Sequence, residues 1–127
     1  MPFLAPYNAS KYALEAVAQC MQHELKDHGV RVCTINPGPY RTGFNDRLYN
    51  QVDQWYDPRK NFSREEPIRE MQQWLAAPDS QIDPQEMIDK MLELIPSDEP
   101  HPFRTLLPVD FVKFCEDYQA RMWATEV

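Results

Sequence analysis

The stretch from Tyr7 to Ile35 constrains this chain most. Over residues 7–28, Ala13, Ala16, Val17, Cys20, Met21 and Leu25 recur at three- and four-residue spacing, the period of an amphipathic helix. Pro6 suits the first turn, where a missing N–H costs no intrahelical bond. Gly29 supplies a left-handed stop, and Lys26 and His28 lie near the negative end of the helix dipole. Val30 to Ile35 follows at once, nearly continuous in β-branched and apolar residues, as in a parallel strand covered on both faces. Asn36-Pro37-Gly38-Pro39 ends it. A helix joined to a strand through one glycine is the second half of a β-α-β unit, so the predicted class is α/β. The strand that should precede the helix has no counterpart in the chain.

Downstream the signals are weaker. Residues 45–82 carry no strand pattern, and Ser63 with Glu66 reads as a capping box for a short helix reaching about Ala77. Asp83, Pro84 and Glu86 open a clearer helix with Met87, Ile88, Met91, Leu92 and Ile95 at its apolar positions, and Pro96 stops it. Phe103–Leu107 reads as a short strand. Asp110 is expected to cap a last helix with Phe111, Phe114, Cys115, Tyr118 and Met122 on one side. The total is about two strands and four helices.

Composition excludes several classes. A chain of 127 residues, 43% hydrophobic, is expected to form one globular domain. Its only glycines are Gly29, Gly38 and Gly43, so no glycine-rich phosphate loop can be written. The net charge of −7 argues against nucleic acid. Residues 1–44 hold four Lys/Arg and three Asp/Glu, while residues 45–127 hold nine and seventeen, which reads as solvated acidic helix faces. Cys20, Cys33 and Cys115 are odd in number and far apart, which argues against a disulfide scaffold and a zinc site and fits a reducing cytoplasm best. His23 and His28 do not share a helix face, and His101 lies between two prolines as an ordinary loop residue. No apolar run approaches the roughly 20 residues of a membrane span, and the first ten residues lack the basic start of a signal peptide.

Chemistry concentrates at Tyr7 and Lys11, four apart and therefore neighbours on one helix face. A free phenol ionises near pH 10, too high for proton exchange at neutral pH. An ammonium within about 4–6 Å, helped by the positive end of the helix dipole, lowers that value by about one to three pH units. Such a phenol can give or take a proton during reaction. Alone, the pair reads rather as a surface tyrosine packed on a lysine stem. Its surroundings are Tyr7-Asn8-Ala9-Ser10-Lys11-Tyr12-Ala13-Leu14, then His23-Glu24-Leu25 and Gly29-Val30-Arg31-Val32. The loop Asn36-Pro37-Gly38-Pro39-Tyr40-Arg41-Thr42 closes the series. In order and spacing this resembles the short-chain dehydrogenase/reductase family. The likeness is close over residues 5–44, and beyond them only the order of elements agrees.

The resemblance implies the C-terminal part of a Rossmann-like, doubly wound parallel sheet, without its N-terminal nucleotide-binding half. It divides the chain into residues 1–44 (catalytic helix, strand and Pro-Gly loop), 45–82 (substrate segment or lid) and 83–127 (helix, strand, terminal helix). It implies an NAD(P)-dependent oxidoreductase interconverting an alcohol and a ketone or aldehyde, with NAD or NADP as cofactor and NADP slightly favoured. Tyr7 would be the acid/base, and Lys11 would lower its pKa and bind the nicotinamide ribose. Pro37, Gly38, Tyr40 and Thr42 would meet the nicotinamide carboxamide and nearby phosphate, with Gly38 letting the backbone approach the ligand. Thr42 could instead be a helix N-cap. Phe44, Leu48, Tyr49 and Trp55 would contact substrate, although the aromatic set between 44 and 75 could instead be a local core.

The family's glycine-rich loop, helix asparagine and catalytic serine all precede the tyrosine and have no counterpart here. Ser10, beside Lys11 on the helix, does not replace that serine. The chain alone is therefore expected to bind NAD(H) or NADP(H) weakly and to be inactive. A homo-oligomer through the helix of residues 7–28 is expected, as is an exposed strand edge that promotes association. Two alternatives remain. One is a non-catalytic interaction or assembly module using Leu14, Val17, Met21 and Leu25. The other is an extended sugar-nucleotide epimerase or dehydratase, which shares Tyr-x-x-x-Lys.

Overall fold

A computed structural model describes residues 3–126. In chain order the elements are α1 (Ala5–Leu25), β1 (Thr34–Pro37), α2 (Phe44–Trp55), α3 (Glu65–Ala76), α4 (Gln85–Leu94), β2 (Arg104–Leu107) and α5 (Asp110–Ala124). They form two compact units. One comprises the residues up to Gly38 together with those from Glu86 onward, and the other is Pro39–Gln85.

In the first unit, α1 starts and stops where the sequence says it must. Pro6 occupies the first turn. The last turn, Lys26–His28, tightens to a 3₁₀ helix, and Gly29 closes it at φ 73°, its N–H donating to the Lys26 carbonyl at 3.1 Å. Two strands pair in parallel, in register from Thr34 opposite Arg104 to Pro37 opposite Leu107. The first of them lies later than the expected 30–35. Extending the register backwards would set Val32 against Pro102 and Val30 against Pro100, and proline has no N–H for a ladder. Pairing therefore begins where the Thr34 N–H donates to the Phe103 carbonyl at 2.8 Å. β1 is not covered on both faces as expected. Thr34, Ile35 and Asn36 are half-buried, Pro37 is exposed, and Val30 lies outside the ladder and exposed. The buried apolar side chains of this unit are Met87, Leu94 and Leu107.

The second unit contains a helix the sequence did not announce. α2 brings the number of α-helices among the described residues to five, against the four expected. Its apolar Phe44, Leu48 and Val52 are spaced by four, but they are diluted among polar residues, and no side chain caps its start at Gly43. α2 packs on α3 around Val52, Ile68, Met71 and Leu75. Arg69 of α3 bridges Asp53 and Glu65, and Gln72 donates to Asp53 and to the Tyr49 carbonyl. Arg69, and then Gln72, hold the Asp53 carboxyl below its ordinary range. A parallel bridge joins Tyr40 to Ile82, with the Arg41 N–H donating to the Ile82 carbonyl at 2.8 Å.

Two helix starts differ in detail from expectation, and a third agrees with it. Ser63 and Glu66 form no box, because α3 starts at Glu65 behind Arg64 with no side-chain cap. Two glutamates in its first turn meet the helix dipole instead. Asp110 lies inside the first turn of α5, with Val109 at the cap position. Asp83 behaves as read, accepting the Gln85 N–H at 2.8 Å.

No residue of α1 is buried, and Leu14, Val17 and Met21 stand exposed along it. A helix presenting that much apolar surface is expected to associate. Sedimentation should show mass rising with concentration in the micromolar range. A chain that stays monomeric and melts cooperatively would contradict this.

Candidate active site

Tyr7 stands in the first turn of α1 and Lys11 one turn later, so one helix delivers both side chains to the same face. The Lys11 ammonium lies over the Tyr7 ring, 5.5 Å from its centroid, a cation–π geometry. Tyr7 is 37% exposed, within reach of a small molecule. Ser10, between them in sequence, donates its hydroxyl to the Tyr7 carbonyl at 2.7 Å. That bond turns Ser10 back onto the helix.

Three residues with no assigned role in the sequence join α1 to the sheet. Glu15, one turn past Lys11, accepts a hydrogen bond from the Asn36 amide at 2.7 Å on Oε1. Its Oε2 accepts two from the Arg104 guanidinium, at 3.1 and 2.7 Å. Thr34 donates to the Asn36 side-chain carbonyl at 3.3 Å, completing a cluster drawn from α1, β1 and β2. Burial works against charge on Glu15, but the hydrogen bonds from Asn36 and Arg104 outweigh it and hold the carboxyl below its ordinary range. Because the folded value is lowered, Glu15 contributes stability that is complete above the ordinary carboxylate range and is lost as pH falls through the folded value. Acidification through that window should lower the melting temperature of the wild type more than that of Glu15→Gln. Parallel loss in both would place the acid sensitivity elsewhere.

The Asn36-Pro37-Gly38 turn leaves β1 beside β2. Gly38 donates its N–H to the Leu107 carbonyl at 2.7 Å. A Cβ added at Gly38 would stand 2.8 Å from Pro108 Cδ and 3.0 Å from the Leu107 oxygen. The close approach that demands glycine thus comes from the chain itself. Gly38→Ala should cost about 1–3 kcal/mol as an overpacking change. An unchanged urea midpoint would show that Pro108 moves aside freely.

The remaining predicted site residues fall in the Pro39–Gln85 unit. Tyr40 is only 5% exposed, its ring in that unit's core. Thr42 does not cap α2, where Gly43 holds the cap position at φ 75°, and its N–H donates to the Tyr40 carbonyl at 2.9 Å. Phe44 and Trp55 are exposed on α2, while Leu48 and Tyr49 are half-buried. No helix among the described residues is long and apolar enough to cross a membrane.

The family described as short chain dehydrogenase matches residues 1–53. The chain is 47% identical over 47 residues to an uncharacterized oxidoreductase, YbbO, of Escherichia coli, covering 37% of this chain and 18% of that protein. It is 46% identical over 41 residues to the NADPH-dependent 3-dehydrocapnine reductase of Ornithobacterium rhinotracheale, covering 32% and 14%. It is 42% identical over 40 residues to the mouse (Mus musculus) 17-beta-hydroxysteroid dehydrogenase type 6, covering 32% and 13%. The matched stretch thus spans under a fifth of each relative's length. No solved structure matches the chain at a significant level. The Tyr7–Lys11 helix, the strand after it and the Asn36-Pro37-Gly38 turn all lie inside the stretch matched by the family model, and over that stretch the chain is similar to the short-chain dehydrogenase family.

Proposed function

We propose that this chain serves a nicotinamide-dependent oxidoreductase that interconverts an apolar alcohol with its ketone or aldehyde. The observation that carries this is the Lys11 ammonium over the ring of an accessible Tyr7 on one helix. Tyr7 exchanges a proton with the substrate oxygen, and Lys11 favours the phenolate by its charge. The donor set suits one end of the cofactor. A phenol and an ammonium on one face match a ribose diol, whereas no glycine-rich turn in this chain matches a diphosphate. When bound, the nicotinamide supplies or accepts the hydride. Relatives named for NADPH dependence and for a hydroxysteroid support NADPH and an apolar substrate. Phe44, Leu48, Tyr49 and Trp55 are proposed substrate contacts, and Pro37, Gly38, Tyr40 and Thr42 cofactor contacts. Tyr40 would act through its backbone, since its ring is buried.

The test, in a full-length protein that carries this chain, is ketone-dependent oxidation of NADPH or NADH, followed by loss of the dihydronicotinamide absorbance across a panel of apolar ketones. No oxidation with either cofactor, by a preparation that binds it, would overturn the reading. A second reading, an assembly module without catalysis, is favoured by the wholly unburied α1. It requires that Leu14→Glu and Val17→Glu abolish association.

A further inference from the structure

Lys11 and Glu15 are opposite charges at i and i+4 on α1, the spacing at which such side chains ordinarily pair, about 6 Å apart along the axis. They do not pair here. Both Glu15 oxygens face the sheet, Oε1 toward Asn36 and Oε2 toward Arg104, while the Lys11 ammonium stays over Tyr7. A carboxylate one turn away competes for an ammonium that rests over a ring face. We propose that Arg104 is a positioning residue for the Tyr7–Lys11 pair: by holding the Glu15 carboxylate against the sheet, with Asn36, it prevents Glu15 from capturing Lys11.

Each part of the cluster fits this role. Arg104 offers two donors to one oxygen, a geometry that a lysine cannot copy. Asn36 takes the other oxygen, so neither is left to swing toward Lys11. The lowered Glu15 pKa fits a carboxylate that keeps its charge in this place and would remain a competitor if released. The arrangement depends on β2 lying beside β1, since Arg104 stands opposite Thr34 in the ladder. The consequence for catalysis rests on the proposed acid–base role of Tyr7 and Lys11, but the placement of Lys11 does not.

The experiment is NMR of the 127-residue chain without cofactor, reading the Lys11 ε-methylene protons, which the Tyr7 ring current displaces upfield. In Arg104→Met that displacement should fall by roughly half or more as Glu15 captures Lys11. The double variant Arg104→Met/Glu15→Gln should recover it, because a neutral amide has no charge to draw the ammonium. Glu15→Gln alone should leave it in place. An unchanged Lys11 signal in a folded Arg104→Met chain overturns the proposal, and so does loss of the displacement in Glu15→Gln. If Arg104→Met does not fold, Asn36→Ala frees one oxygen and should produce the same change in smaller measure, and no change there overturns it. A chain that passes these tests while Tyr7→Phe retains turnover would defeat the enzymatic reading and leave this placement intact.

Discussion

Tyr7→Phe, made in a full-length protein that carries this chain, is expected to cut turnover by about 10²–10⁴-fold, the range for removal of a positioned general acid or base. The substitution is narrow. A phenyl ring keeps the cation–π surface under Lys11, so the ammonium has no reason to move. Only the hydroxyl that would pass the proton is gone. Ser10 cannot stand in, because its hydroxyl is spent on the Tyr7 carbonyl. Cofactor affinity should stay within about threefold, well under the 1.4 kcal/mol that a tenfold change represents. The measurement is kcat at saturating cofactor and ketone, beside a fluorescence titration of NADPH. Turnover within about twofold of wild type would remove Tyr7 from the chemistry.

The largest expected effect on stability is at Ile68. It is 1% exposed in a core that otherwise consists of Tyr40, Val52, Met71 and Leu75. Ile68→Ala should cost about 2–5 kcal/mol, the lost transfer free energy plus the cavity left behind. Total stabilities are only about 5–15 kcal/mol, so the loss is a large share of what holds any domain together. The polar clamp of Arg69 with Asp53 and Glu65 does not offset it, because exposed ion pairs contribute about 0–1 kcal/mol. Hydrogen exchange should show protection in α2 and α3 collapsing in the variant. Retained protection in both would mean that the side chains around position 68 close the cavity.

Strong local signals were legible in the sequence. α1 was, because a proline start, a helical period and a glycine stop act within a few residues of one another. The end of β1 at the Pro-Gly turn and the stop of α4 before Pro96 follow from the same local rules. α2 was not, because its apolar positions are sparse and its start at Gly43 carries no capping side chain. The start of β1 was misread for a different reason. Val30–Cys33 has strand propensity, but the prolines at 100 and 102 remove the partner, and that pairing spans some seventy positions of sequence.

At the candidate site the same division holds. Tyr7 and Lys11 come together by helix geometry alone, so their spacing in the sequence determined that they meet. By that local rule Lys11 had two partners in reach, Tyr7 one turn before it and Glu15 one turn after. Only the tertiary structure decided between them. The parallel pairing of β1 with β2 carries Arg104 and Asn36 to Glu15, and no local propensity of α1 encodes an arginine 89 residues away. Gly38 follows the same pattern. Its residue type was legible as a turn, but the neighbour that forbids a side chain there, Pro108, arrives only when the two strands lie side by side.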